Sequence, residues 1–153
     1  MRNLANSSDR AAVLHRLEKL SPQMQPRWGT MSSAEMLQHL TLAFQTSLNE
    51  FPVSPSPARH FDNAALRLIA LTLPVRWPKG IAAPPELDFA VNPPAAVDFS
   101  RVQAELTGVI ERFGRAPLSS LAPSHPVFGT LSHAQWMRWG FRHTDHHLRQ
   151  FGC

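Results

Sequence analysis

The chain has 153 residues, a formal net charge of +4 and a pI of about 10.6. That length predicts one domain, residues 1–153. No apolar run is long enough to cross a membrane, and a secretory signal is not expected. Because the only cysteine is Cys153, an internal disulfide is excluded and a cytoplasmic location is expected.

The first two helices are predicted over residues 8–20 and from Ser32 to about Glu50. Each is followed by a proline-containing segment, "SPQMQP" and "FPVSPSPA" respectively. Proline lacks a backbone N–H and clashes with the preceding turn, so neither helix is expected to continue into these segments.

A nine-residue pattern occurs twice, as "WGTMSSAEM" at residues 28–36 and as "FGTLSHAQW" at residues 128–136. In each copy a serine can cap the following helix, while an acid or amide three residues later bonds back to the serine N–H. The two pairs are Ser32 with Glu35 and Ser132 with Gln135. Both copies predict a helix start, and the second predicts a last helix over residues 132–150.

The middle of the chain is rich in proline. A short apolar helix is predicted from Asp62 to residue 73, just before Pro74. The stretch that follows, "PVRWPKGIAAPPELDFAVNPPAAVD", contains six prolines and is not expected to form long regular structure. A further helix is predicted over residues 99–113, ending at Gly114, a residue type that suits the position after a helix.

No segment alternates apolar and polar residues with a period of two, so strands are not expected. The sequence predicts an all-α bundle in which a long proline-rich crossover, residues 51–98, carries the short extra helix. A crossover of that length allows the two helices it joins to run parallel. The principal helices are residues 8–20, 32–50, 99–113 and 132–150.

The last predicted helix ends in "HTDHHLRQ", residues 143–150. His143 and His147 lie one turn apart on one face, so they can share a metal ion. His146 points about 100° away from His147 and is the weaker ligand candidate. One stripe of this helix, expected to face inward, contains Trp136, Gly140, His143, His147 and Gln150.

His39 lies beside an apolar face of the second predicted helix. It is seven residues from the start of that helix, while His143 and His147 are seven and three residues from the end of theirs. Antiparallel packing of the two helices would bring the three imidazoles to one level of the bundle, where metal sites are commonly built from facing helices. The alternative is a polar histidine layer without a metal.

Several further residues are candidates for the surroundings of this site. Gln150 can hydrogen-bond into it, Trp136 and Trp139 can wall a pocket, and Glu35 lies one turn before His39, although the capping box already accounts for Glu35. Cys153, at a chain end expected to fray, is not favoured as nucleophile or ligand. The remaining histidines are expected at the surface (His15, His60, His133) or fixing the loop before the last helix (His125).

The blocks "MLQHL" and "HTDHHLRQ" resemble the DinB/YfiT-like superfamily of four-helix bundles, whose pattern in the last helix is H-x-x-x-H followed by Gln. The two longer blocks "PRWGTMSSAEMLQHL" and "HPVFGTLSHAQWMRWGFRHTDHHLRQFG" are similar to an uncharacterised subfamily. The resemblance implies an up-down-down-up bundle and a divalent-metal site on His39, His143 and His147. Leu148-Arg149 stands where many members have Arg-Gly.

Characterised members of that superfamily include thiol-dependent S-transferases and a thiol-dependent isomerase. The resemblance therefore implies a metal-dependent, thiol-linked transferase using Zn, Ni, Fe or Mn and a low-molecular-weight thiol. A non-catalytic metal- or ligand-binding bundle and a metal-dependent hydrolase remain alternatives. A small-molecule substrate or thiol is the expected partner, with no membrane partner and with a homodimer left open.

Basic residues are scattered along the sequence, except for an arc on the last predicted helix formed by Arg138, Arg142 and Arg149. A solvated outer face is the favoured interpretation of this arc, because exposure is the usual state of arginine, and contact with an anionic ligand is the alternative. A nucleic-acid-binding module usually gathers its basic residues on one face, so nucleic acid is not the expected partner.

Overall fold

Five α-helices make up the regular structure of the computed structural model, which describes residues 1–58, 63–89, 92, 94 and 98–153. No strand occurs within these residues. The only β-type backbone pairing among them is an isolated bridge between His125 and Gly129. The predicted all-α class is therefore confirmed for the described residues. The helices are α1 (Ser7–Leu17), α2 (Ser33–Ser47), α3 (Ala64–Thr72), α4 (Phe99–Arg115) and α5 (His133–Gln150).

Both predicted capping boxes are present and fix the starts of α2 and α5. The Glu35 carboxylate accepts from the Ser32 backbone N–H at 2.7 Å, and the Ser32 hydroxyl accepts from the Glu35 N–H at 3.3 Å. Ser132 and Gln135 repeat the arrangement, with distances of 2.8 and 3.3 Å. Each box satisfies N–H groups that have no partner within the helix.

The predicted helix ends were less accurate. The helix α1 stops at Leu17 rather than residue 20, because the next residues form tighter turns in which Leu20 N–H donates to the Leu17 carbonyl. The helix α2 stops at Ser47 rather than Glu50, and Asn49 adopts a left-handed φ of 61° that no α-helix continues.

The start of α3 also differs from the prediction. The expected start, Asp62, lies outside the described residues, and the side chain of Asn63 caps the helix by accepting from the N–H groups of Ala65 and Leu66. Asparagine is a favoured cap because its short side chain reaches these N–H groups.

Gly114 does not end α4, as the sequence suggested, but lies inside it, one residue before the end. Its role is to let another segment approach. A Cβ atom at this position would lie 2.5 Å from the carbonyl oxygen of Leu4 and 2.7 Å from Cδ of Arg10. A larger residue cannot be accommodated there without moving the N-terminal segment.

Contacts at both ends of each helix pair fix the direction of α1 relative to its neighbours. It runs parallel to α5, because Leu4 N–H donates to the Met137 carbonyl at one end and Arg16 pairs with Asp145 at the other. It runs antiparallel to α4: Arg10 near the start of α1 pairs with Glu111, and the Leu17 carbonyl accepts from Gln103.

The helix α2 lies antiparallel to α5 and parallel to α4. Along α2, His39 faces His143, and Phe44 further on faces Trp139, which precedes His143 in α5. Phe44 also packs on Phe113 near the end of α4, at a centroid distance of 5.0 Å. The two helices that the crossover joins, α2 and α4, therefore run parallel, as a crossover of that length allows.

The crossover packs against α5 through Arg142. Its guanidinium donates to the carbonyl oxygen of Leu73 at 2.5 Å and also to that of Val75. Arg142 therefore holds the end of α3 rather than facing only solvent, as was expected of the arginine arc. Arg149 is exposed and pairs with Asp145 at 3.0 Å.

Candidate metal centre

Three histidine side chains meet where α2 and α5 lie antiparallel. The Nε2 atoms of His39 and His143 are 3.3 Å apart, and the His147 ring lies 4.9 Å from each of the other two rings. One nitrogen from each ring lies within 4.8 Å of the others, so the group could hold a metal ion. The equal depths of the three residues along antiparallel helices account for this convergence.

Two carbonyl oxygens fix the orientation of two of these rings. His39 Nδ1 donates to the Leu87 carbonyl oxygen at 3.0 Å, and His147 Nδ1 donates to Oε1 of Gln150 at 2.9 Å. Because these oxygens can only accept, the proton of each neutral ring is on Nδ1, and Nε2 keeps its lone pair. Gln150 is itself held by donating to the Trp28 carbonyl at 2.7 Å.

The donor set fits a divalent transition-metal ion. In a tetrahedral zinc site with bonds of about 2.05 Å, ligand nitrogens lie about 3.3 Å apart, which matches the 3.3 Å between His39 and His143. Carbonyl acceptors on the remote ring nitrogens are the usual support of metal-binding histidines. Within the described part of the chain, no further histidine, cysteine or carboxylate joins the group. A four-coordinate ion bound there would therefore keep one position without a ligand from these residues.

The site favours neutral imidazoles. Burial lowers the pKa of His39, and it holds the pKa of His143 and His147 well below the usual value of 6.5, with mutual repulsion of the rings adding to the effect. Neutral imidazole is the form that binds a metal. Protons are therefore expected to displace a cation from these rings only at a lower pH than from an isolated histidine.

A cavity of about 480 Å³, here called the histidine cavity, adjoins the three rings. Its walls are mostly aromatic and apolar and come from α2 and the segment before it, the crossover, the loop before α5, and α5 itself. The large ring side chains among them are Trp28, Trp77, Phe89, Phe128 and Trp139. The three-histidine group therefore borders a volume in the range of small-molecule sites.

His146 lies beside the three histidines without belonging to the group. Its ring is 5.3 Å from that of His147 and nearly perpendicular to it, between Trp28 and Trp77 at 5.8 and 6.2 Å. It lines the histidine cavity, and burial lowers its pKa. The angular offset along the helix accounts for this placement.

Of the other residues that the sequence suggested for the site, some lie there and others do not. Gln150 and Trp139 line the histidine cavity. Trp136 is fully buried in the core against Trp139 and does not line it, and Glu35 serves the cap of α2 and does not line it either. The structure thus brings Gln150 to the site and leaves Trp136 and Glu35 away from it.

His125 fixes the loop before α5, as expected, because its Nδ1 accepts from the N–H groups of Val127 and Phe128 at 3.0 and 3.2 Å. It also lines the histidine cavity, with its ring 4.9 Å from that of Trp139, which the sequence did not indicate. Burial lowers its pKa to about 3. Its position in a loop gives no helical spacing from which this proximity could be inferred.

The remaining histidines lie away from the site or outside the description. His15 is exposed, as predicted, and His60 lies outside the described residues. The surface prediction for His133 was wrong, because its ring is half-buried and bonds to the Ala116 carbonyl at 2.9 Å.

Cys153 is half-buried and does not line the histidine cavity. Its position is fixed rather than frayed: its N–H donates to the Leu148 carbonyl at 2.9 Å, and its carbonyl accepts from Arg16 at 2.9 Å. A thiol at the three histidines would therefore have to come from another molecule.

Among the helices of the described residues, none has the length and apolar character needed to cross a membrane. No curated protein and no solved structure matches the chain. The family model described as "Protein of unknown function (DUF1569)" matches residues 2–152. Because this match covers nearly the whole sequence, the chain belongs to the DUF1569 family of proteins of unknown function.

Proposed function

We propose that His39, His143 and His147 bind one divalent transition-metal ion and that the protein is a metal-dependent, thiol-linked transferase. The observation that carries the proposal is the convergence of three imidazoles, two buried and that of His143 half-buried, on one wall of a cavity. A set of three protein ligands that leaves a position open is the pattern of catalytic rather than structural zinc sites.

The fold offers a second line of support. With α1 parallel to α5, and with α2 and α4 both antiparallel to α1, the pairwise directions correspond to the order up, down, down, up. We propose on this basis that the bundle is DinB-like, with the crossover forming one side of the site.

The chain's own residues would supply position and environment. When bound, a divalent ion supplies Lewis acidity, which lowers the pKa of a coordinated thiol or water. Leu87 and Gln150 hold two ligand rings so that their Nε2 lone pairs converge. The mainly apolar and aromatic walls lower the local dielectric constant, which strengthens electrostatic interactions inside the cavity.

His125 is a candidate for contact with substrate. Because its Nδ1 accepts from backbone N–H groups, the proton of the neutral ring is on Nε2. Its low pKa keeps the ring neutral at physiological pH, so it would act there as a hydrogen-bond donor rather than as a cation. Such a donor stabilises negative charge that develops on a substrate oxygen during a reaction.

Two alternatives use the same site. A metal-dependent hydrolase would activate water instead of a thiol, and a non-catalytic bundle would bind the ion or a ligand without turnover. The thiol-linked reaction is preferred because the cavity is walled mainly by apolar and aromatic side chains, which favour an organic ligand over water alone.

Metal binding is tested on untagged protein, because a histidine tag would bind the same ions. Metal content and affinity under chelator competition are measured for the wild type and for alanine variants of His39, His143 and His147. His146→Ala is the matched control, since it removes a neighbouring cavity histidine. Each ligand variant should lose affinity strongly and the control should lose little; retention of affinity by all three ligand variants would refute the site.

Catalysis is tested by screening the metal-loaded protein with low-molecular-weight thiols and a chromogenic electrophile. The transferase proposal expects turnover that requires both the thiol and the metal and that is lost in His143→Ala. Ester or amide hydrolysis without a thiol would favour the hydrolase. Metal bound with no turnover of either kind would favour the non-catalytic protein.

A further inference from the structure

A second concave surface shares Trp28 and Trp77 with the histidine cavity. It also measures about 480 Å³ and is formed by the N-terminal residues Met1 and Arg2, the segment before α2, the end of α3, the crossover and α5. We call it the basic groove, because its lining includes six cationic side chains: Arg2, Arg27, Arg76, Lys79, Arg142 and Arg149.

The charge of the basic groove is poorly compensated. Its only lining carboxylate, Asp145, already bonds to Arg16 at 2.7 Å and to Arg149 at 3.0 Å. Among the described residues, neither Arg76 nor Lys79 forms an ion pair, and both side chains are exposed. Clustered cations without acidic partners create a positive potential that attracts anions.

Aromatic rings hold two of these cations in place. The Lys79 ammonium lies 4.7 Å from the centre of the Trp28 ring, and the Arg142 guanidinium lies 5.7 Å from that of Trp77. Both contacts fall within the range of cation–π attraction. Cations that are held in place lose less conformational freedom when a ligand binds, so these contacts favour anion binding.

The basic groove and the histidine cavity share part of their lining. Trp28, Trp77 and His146 border both, and His146 is adjacent in sequence to the proposed ligand His147. A ligand seated against these three rings would have positive charge on one side and the three-histidine group on the other.

We infer that the basic groove binds the carboxylate or phosphate group of a small ligand whose other end enters the histidine cavity. The anion site stands on the groove alone, whereas the placement of the far end rests on the proposed metal centre. A volume of about 480 Å³ suits a small molecule, since small-molecule sites measure about 300–1,000 Å³. Carboxylate and phosphate are the groups that arginine recognises through paired N–H bonds.

The first arm of the test measures anion binding. Inorganic phosphate and tricarballylate are titrated while tryptophan fluorescence is followed, because Trp28 and Trp77 line the groove. The variant Arg76→Gln/Lys79→Gln is compared with Lys19→Gln/Arg101→Gln, which removes the same two residue types outside the groove. Lys19 and Arg101 are exposed.

Saturable binding is expected, with a dissociation constant raised about fivefold or more in the groove variant and nearly unchanged in the control, because isolated surface charges contribute little. The tighter of the two probes identifies carboxylate or phosphate as the preferred group. Absence of saturable binding, or equal losses in both double variants, would overturn the inference. So would tighter binding of a duplex oligonucleotide that both double variants weaken equally.

The second arm tests the connection to the histidine cavity with ω-mercaptoalkanoates of increasing chain length and the matching alkanoates without the thiol. In zinc-loaded protein, a thiol acid of suitable length should bind more tightly than its matching alkanoate, and His143→Ala should remove only that difference. The groove variant should weaken both compounds. If the thiol acids bind the metal-loaded protein no more tightly than the matching alkanoates, the inferred connection to the histidine cavity is wrong. A failure to load metal would instead count against the proposed function and leave the anion site standing.

Discussion

Replacing Gly114 with alanine tests the packing of the N-terminal segment against α4. The added Cβ atom would lie 2.5 Å from the Leu4 carbonyl oxygen, a separation that real Cβ atoms essentially never show. That oxygen cannot move freely, because it accepts from Arg10 at 2.6 Å while the Leu4 N–H donates to Met137. Overpacking of this kind costs about 1–3 kcal/mol.

Gly108 provides the matched control on the same helix. It is exposed, and a Cβ atom there would meet nothing within 4 Å. Alanine gains about 0.5–1 kcal/mol over glycine inside a helix, so Gly108→Ala should stabilise the protein by that amount. Because the same gain applies at Gly114, the free energies of unfolding of the two variants should differ by about 1–3 kcal/mol, the overpacking cost alone.

Urea denaturation followed by tryptophan fluorescence measures this difference. The m-values should stay equal, since the variants alter stability rather than the surface exposed on unfolding. If Gly114→Ala is as stable as Gly108→Ala, the close approach of Leu4 to α4 is wrong.

Three further predictions concern caps, protons and the support of the metal site. Ser32→Ala and Ser132→Ala should each lower the free energy of unfolding by about 1 kcal/mol, the usual loss of an N-cap; an unchanged denaturation midpoint in both would refute the capping boxes. Because the pKa of His125 is lowered from 6.5 to about 3, the unfolded chain binds a proton that the folded chain does not. In the presence of a chelator, the free energy of unfolding should therefore fall as the pH drops below about 6.5, by up to about 1.4 kcal/mol per pH unit for this ring. Urea titrations at several pH values should show a shallower fall of the free energy of unfolding in His125→Asn. Gln150→Leu removes the acceptor that orients His147 and should weaken metal affinity about 10–100-fold. Gln150→Glu keeps an acceptor and should weaken it less. Equal metal affinities of the two variants in competition assays would contradict the orienting role of Gln150.

Local signals in the sequence predicted the starts of α2 and α5 well. The serine caps of α2 and α5 depend on residues three positions apart, so the pattern and the structure coincide. Helix ends depend more on tertiary contacts. Gly114 looks like a terminating residue, but the helix continues through it, because the glycine is used for close packing against Leu4.

The candidate site was predictable where its residues lie on helices. Helical spacing placed His143 and His147 on one face, and equal depth on an antiparallel partner placed His39 opposite them. His125 and Trp77 could not be found in this way. One lies in a loop and the other in a proline-rich crossover, and their distance from the site depends on how those segments fold back.

The central claim is that three imidazoles bind one divalent ion and leave a position open. X-ray absorption spectroscopy of untagged, zinc-loaded protein tests it most directly. The expected inner shell contains three imidazole nitrogens at about 2.0–2.1 Å and one light atom that no protein residue supplies. His39→Ala should reduce the imidazole count by one. A spectrum unchanged by His39→Ala, a sulfur ligand from Cys153, or failure to retain one zinc ion per chain would contradict the account.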